Sequence, residues 1–117
     1  MKTLNPLADL SQLEAAIAES RQRPVLIFKH SRNCGISCEA FDELHAHMAA
    51  DGVAEGGAKA SYNVITVQNH RSVSDAATTL LGVRHETPQA ILLKDGVPVW
   101  KASHFRITAH ELKRALA

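Results

Sequence analysis

The stretch Val25-Leu26-Ile27-Phe28-Lys29-His30-Ser31-Arg32-Asn33-Cys34-Gly35-Ile36-Ser37-Cys38 decides how this chain is read. It opens on an unbroken apolar run with β-branched and aromatic character, the pattern of a strand covered on both faces, as in parallel sheets. Beyond Cys34 the period changes. Cys38, Phe41, Leu44, His45 and Met48 recur along one side of a helix that stops near Asp51-Gly52. A cysteine therefore stands where a buried strand hands over to a helix N-terminus. Unpaired backbone N–H groups point out of that end and the peptide dipoles make it positive, so both favour an anion at the sulfur. The thiolate is the nucleophile in disulfide exchange. Lys29, His30 and Arg32 add positive character just upstream, and Ser37 brings a hydroxyl donor within reach of the sulfur.

Working outward, Asn5-Pro6 precedes an amphipathic run with Leu10, Leu13, Ala16 and Ile17 at helical spacing, capped by Asp9 or Ser11 and ended by Arg23-Pro24. Gly52 to Lys59 is rich in Gly and Ala and reads as a surface loop, and Tyr62 to Val67 alternates as a second strand. Ser72 or Ser74 then caps a short helix ending at Leu81-Gly82, where Gly82 suits a left-handed position. Gln89 to Leu93 and Val97 to Lys101 flank Lys94-Asp95-Gly96, and Asp-Gly between apolar runs is a strong hairpin signal. Thr108 caps a last helix, with Glu111 completing a capping box and Leu112, Ala115 and Leu116 supplying the apolar face. This order predicts the α/β class: a thioredoxin-like fold whose central mixed sheet has about four strands flanked by about four helices. No linker or repeat divides it, so residues 1–117 are expected to form a single domain.

The second chemical signal is Thr87-Pro88, immediately before the strand at Gln89. Proline rarely opens a core strand, and a cis X–Pro bond is a restricted feature. In this topology that strand entry lies beside the helix start carrying Cys34, where a proline leaves the preceding backbone groups open to an extended substrate. Cys38 sits one turn beyond Cys34, with Cα atoms about 6 Å apart on one helix face. That separation is within disulfide range, but the parallel side-chain directions do not suit the torsion. One-thiol chemistry is therefore favoured, with Cys38 as a structural or occasional resolving thiol.

Composition excludes several classes. The formal net charge of +1 provides no field for nucleic acid or anionic membrane, and no apolar run approaches the length of a membrane span. No basic segment followed by an apolar stretch and a cleavage site is found at the N-terminus, so a cytoplasmic setting with reduced thiols is expected. Of the seven histidines only His45 and His47 lie close in sequence, and two apart on a helix they face different ways, so no metal site is expected. The pattern carries no sign of oligomeric state.

Phe28-Lys29-His30-Ser31 with Cys34-Gly35-Ile36-Ser37 resembles the active-site segment of the monothiol bacilliredoxins, thioredoxin-fold proteins of bacillithiol-using bacteria whose motif is Cys-Pro-Ile-Ser. Val83-Arg84-His85-Glu86-Thr87-Pro88-Gln89 and the block from Val99 to Thr108 resemble the same family, and the similarity runs from about Leu4 to Leu116. The resemblance implies a thiol–disulfide oxidoreductase that removes bacillithiol from S-thiolated client proteins. Cys34 would attack the bacillithiol sulfur and carry it as a mixed disulfide, with no metal or organic cofactor. His30, Ser37, His85, Thr87, Pro88, Ser103 and His104 are the candidate substrate-binding residues around Cys34 and Cys38, with Lys29, Arg32 and Arg84 as further candidates. Bacillithiol, or another low-molecular-weight thiol, is the implied partner.

Two departures bear on the mechanism. The family proline is Gly35 here, which loosens the first helical turn, and Cys38 is an added thiol. The alternatives are therefore a dithiol oxidoreductase using Cys34 and Cys38, a copper-binding module through the same two sulfurs, and a redox-inactive interaction domain.

Overall fold

Adjacent residues of the strand Val25–His30 alternate between two apolar layers, and this alternation organises the molecule. The computed structural model describes residues 4–51 and 60–117; the loop expected over Gly52 to Lys59 lies outside the described residues. The elements are β1 (Asn5–Pro6), α1 (Leu10–Glu19), β2 (Val25–His30), α2 (Gly35–Ala50), β3 (Ser61–Thr66), α3 (Arg71–Leu81), β4 (Gln89–Lys94), β5 (Val97–Ser103), a 3₁₀ turn (His104–Arg106) and α4 (Ala109–Leu116). The sheet runs β1-β3-β2-β4-β5, with β3 parallel to β1 and β2, and β4 antiparallel to β2 and β5. Leu26 and Phe28 join Ala40, Leu44, Met48, Ile107 and Leu112 on one face, whereas Val25 and Ile27 join Leu13, Ala16, Val73, Ala77 and Leu81 on the other. The result is a thioredoxin-like sheet between α2 with α4 and α1 with α3.

Several local signals are expressed as expected. The Asp9 carboxylate accepts the Gln12 N–H at 2.8 Å at the head of α1. Gly82 closes α3 at φ +65°, and Asp95 and Gly96, both at positive φ, turn the β4–β5 hairpin. Thr108 accepts the Glu111 N–H at 3.1 Å, although the Glu111 carboxylate turns to Arg114 at 3.2 Å and does not close the box.

The structure corrects other expectations. The sheet has five strands because Asn5-Pro6 pairs with Asn63 and Val64; two residues are too short to show a period, and Pro6 is tolerated on an edge. α3 begins at Arg71 with His70 at the N-cap, its side chain making no capping hydrogen bond, while Ser74 is buried inside the helix and caps nothing. β5 extends to Ser103, because its pairing continues through Ala90↔Ala102 and Gln89↔Ser103. On α2 the buried side is Ser37, Ala40, Leu44, His47 and Met48; Cys38 and His45 are exposed. Polar Ser37 and His47 disguise that face, and each has a hydrogen-bonding partner, His30 and Tyr62, that makes its burial tolerable. Among the described residues no helix is long and apolar enough to cross a membrane.

Candidate active site at the end of the sheet

The strand register gathers the candidate residues at one end of the sheet. His30 ends β2 opposite Thr66, Gln89 starts β4 opposite Lys29, and Ser103 ends β5 opposite Gln89. The Cys34 loop, the segment leading to Pro88 and the 3₁₀ turn therefore converge.

Cys34 is the N-cap of α2, with extended backbone at φ −116° and ψ 120°. Its carbonyl accepts the Cys38 N–H at 3.1 Å, which closes the first turn. Its side chain makes no capping hydrogen bond. The first N–H groups of any helix lack an internal acceptor, so half-buried Cys34, as the N-cap, stands at a positive helix end. Both thiols are free, and Cys38 is exposed one turn on. A Cβ added at Gly35 would meet nothing within 4 Å, so packing does not demand glycine there.

Ser37 does not point its hydroxyl at the sulfur. It is fully buried, lying 2.8 Å from His30 Nδ1 and accepting the Ser31 N–H at 2.9 Å. Ser37 and His30 therefore hold the loop that carries Cys34, and neither is hydrogen-bonded to it. His30 stacks on Phe41 with ring centroids 4.7 Å apart, and burial, then the Arg32 charge, push its pKa below the ordinary value. Gln68, from the turn after β3, accepts the Arg32 N–H at 3.1 Å and donates to Ser31 Oγ at 2.7 Å. Nothing local in the sequence marks Gln68, since its partners lie in a loop distant along the chain.

The Thr87–Pro88 bond is cis. Pro88 is buried and its carbonyl accepts the His104 N–H at 3.0 Å, while Thr87 remains half-buried beside it. Fully buried Gln89 donates from Nε2 to the Arg84 carbonyl at 3.0 Å. Ser103 donates to the Glu86 carboxylate, which holds that carboxyl below the usual range and ties β5 to this segment. Exposed His104, at φ +57°, borders two shallow clefts: one of about 340 Å³ with Ile36, Glu43 and Phe105, and one of about 360 Å³ with Glu86, Lys101 and Arg106.

Lys29 departs most from expectation. It is completely buried on the α3 face, where Nζ meets the Ser74 carbonyl at 3.1 Å, Thr78 Oγ1 at 3.0 Å and His85 Nδ1 at 3.2 Å. Strand alternation turns it away from the loop that its neighbour His30 supports. Desolvation pushes its pKa down. Among the described residues no group of three or more His, Cys, Asp or Glu side chains is placed to hold a metal ion.

The family model of the monothiol bacilliredoxin BrxC matches residues 5–112. Among solved structures, a protein described as a candidate oxidoreductase with a thioredoxin fold superposes with a TM-score of 0.80 at 28% identity, covering 97% of this chain and 93% of that one. The thioredoxin of Fasciola hepatica superposes at 0.73 with 16% identity over 96% and 95% of the two chains. Mitochondrial thioredoxin 3 of Saccharomyces cerevisiae, in its oxidised form, does so at 0.70 with 15% identity over 97% and 93%. The last two similarities speak for the fold alone.

Proposed function

The chain belongs to the monothiol bacilliredoxin family and is a thiol–disulfide oxidoreductase, and from that premise we propose that it reduces bacillithiol–protein mixed disulfides through Cys34. The Cys34 thiolate attacks the bacillithiol sulfur. The S–S bond between bacillithiol and client breaks, the client thiolate leaves and takes up a proton, and Cys34 holds bacillithiol as a mixed disulfide. A second bacillithiol thiolate then attacks that disulfide, regenerating Cys34 and releasing oxidised bacillithiol. The observation that carries this reading is the cysteine at the N-cap of α2 whose side chain caps nothing, since an anion there gains the interactions that a capping oxygen would otherwise take.

The remaining candidates take supporting roles. The backbone of Thr87, beside a proline whose own carbonyl is occupied by His104, pairs with an extended client segment. His85 and His104, both exposed, and Ser103 form the rim. His30 and Ser37 keep the Cys34 loop in place. The protein works as one domain in a reducing compartment, which keeps the thiol available.

A second reading, dithiol exchange with Cys38, is favoured by one observation: Cys38 is exposed one turn from Cys34 beside an unconstrained glycine. It requires the first turn of α2 to open. The discriminating assay supplies one client protein carrying either bacillithiol or glutathione, with the matching free thiol as reductant. Faster release of bacillithiol is expected; equal rates would overturn the bacillithiol assignment while leaving the thiol chemistry intact.

A further inference from the structure

Lys29 and His85 form a pair whose proton positions follow from their neighbours. A lysine ammonium has three donors and no acceptor. Around Nζ stand three groups: the Ser74 carbonyl, which can only accept, Thr78 Oγ1, and His85 Nδ1. The Thr78 hydroxyl proton is committed to the Ser74 carbonyl at 3.3 Å, so its oxygen accepts from Lys29. The third ammonium proton is left with Nδ1 of His85 at 3.2 Å, a nitrogen that the Ser74 hydroxyl faces more distantly at 3.5 Å. An imidazole accepting at Nδ1 carries its proton at Nε2. If the shared proton moves onto the ring, Nε2 still carries its own. Every form of the pair with charge +1 therefore shows the same outward face, an Nε2–H on an exposed ring.

We propose that Lys29 is a positioning residue that fixes His85 as an Nε2–H donor, so that His85 binds an oxygen acceptor of the substrate and does not act as a base. The assignment of the acceptor to a substrate rests on the thiol-exchange reading; the state of the ring does not. Placement supports the role. His85 lies in the segment leading to Pro88, which Gln89 and Ser103 also tie down, at the sheet end where Cys34 lies. The charged groups facing the ring agree with a neutral imidazole: Lys29 from β2 and Arg71 from α3 disfavour a second proton, against Asp75 from α3 and Glu86 from its own segment. Burial is the first cause of its lowered pKa.

The test uses the full chain with ¹⁵N-labelled histidine. Two-bond ¹H–¹⁵N spectra near neutral pH are expected to show His85 as the Nε2–H tautomer. Lys29→Met, which keeps length and removes the donor, is expected to abolish that preference and bring the His85 titration back toward its ordinary value. An Nδ1–H tautomer in the wild type, or a spectrum unchanged in Lys29→Met, overturns the proposal. Should Lys29→Met fail to fold, kinetics at exposed His85 decide, because a glutamine can accept from Lys29 through Oε1 and donate outward through Nε2. His85→Leu is expected to raise KM about tenfold with kcat little changed, and His85→Gln to recover all but about threefold. A similar loss of kcat in both variants makes His85 a base and refutes the proposal. Running the same variants on oxidised bacillithiol alone and on a thiolated protein tells whether the acceptor belongs to the small thiol or to the client.

Discussion

At the start of α4, Thr108 accepts the Glu111 N–H at 3.1 Å and Glu43 of α2 accepts the Ala109 N–H at 2.8 Å, whereas at the start of α2 the Cys34 side chain accepts nothing. Both helices pack on the same face of the sheet. One helix start is closed by oxygens from its own turn and from a neighbour. The other is held from behind, by Ser37, His30 and Gln68, and left open in front. Local stability is complete at α4, while at α2 the helix end is kept for whatever charge the sulfur carries.

The comparison breaks first at Ser37. Ser37→Ala leaves the half-buried Ser31 N–H and His30 Nδ1 without their partner, and a loss of about 1 kcal/mol in denaturant unfolding is expected, with slower thiol exchange. Full exchange activity in a stable variant would show that the loop does not need this support.

A reciprocal pair of cap substitutions sharpens it. Thr108→Ala is expected to destabilise by about 1 kcal/mol, as removal of a capping oxygen does. Cys34→Asp is expected to do the opposite, gaining about 0.5–2 kcal/mol while losing all exchange, because a carboxylate fills the vacant cap and meets the helix dipole. A destabilised Cys34→Asp would mean that the N–H groups of α2 are not available to an anion.

The smallest effect is a pH dependence shared by the two ends of α2. His30 at the front and His47 at the back are both pushed below the ordinary histidine value of 6.5 by burial, and His47 Nε2 lies 2.9 Å from a Tyr62 hydroxyl that donates to Asp51. A base with a lowered folded pKa binds its proton more readily when unfolded. Its contribution is therefore complete above pH 6.5 and is lost as pH falls through the folded values. Unfolding midpoints measured across this range should be flat above and decline below, and His47→Gln should flatten the decline without altering exchange.

What the sequence made legible were features whose physics is local. Asp95-Gly96, Gly82, Asp9 and Thr108 each act on their own turn, and each stands where expected. Cys34 and Thr87-Pro88 were legible because element order alone brings their loops to one end of the sheet. The partners of Gln68 and Glu86 lie far along the chain and leave no local trace, and Ser37 meets His30 and Ser31 only through the path of an irregular loop, which carries no periodic signal. The burial of Lys29 is hidden for a related reason: a lysine signals solvent unless its three acceptors are visible, and those come from α3 and the segment before Pro88.

The central claim, that Cys34 alone carries the exchange, is tested most directly by intact mass after incubation with oxidised bacillithiol. Wild type, Cys34→Ser and Cys38→Ser are compared. A single bacillithiol adduct on wild type and Cys38→Ser, absent from Cys34→Ser, is the predicted result. An adduct that survives in Cys34→Ser, a wild type that loses two hydrogens in place of gaining an adduct, or no modification of any variant would contradict it.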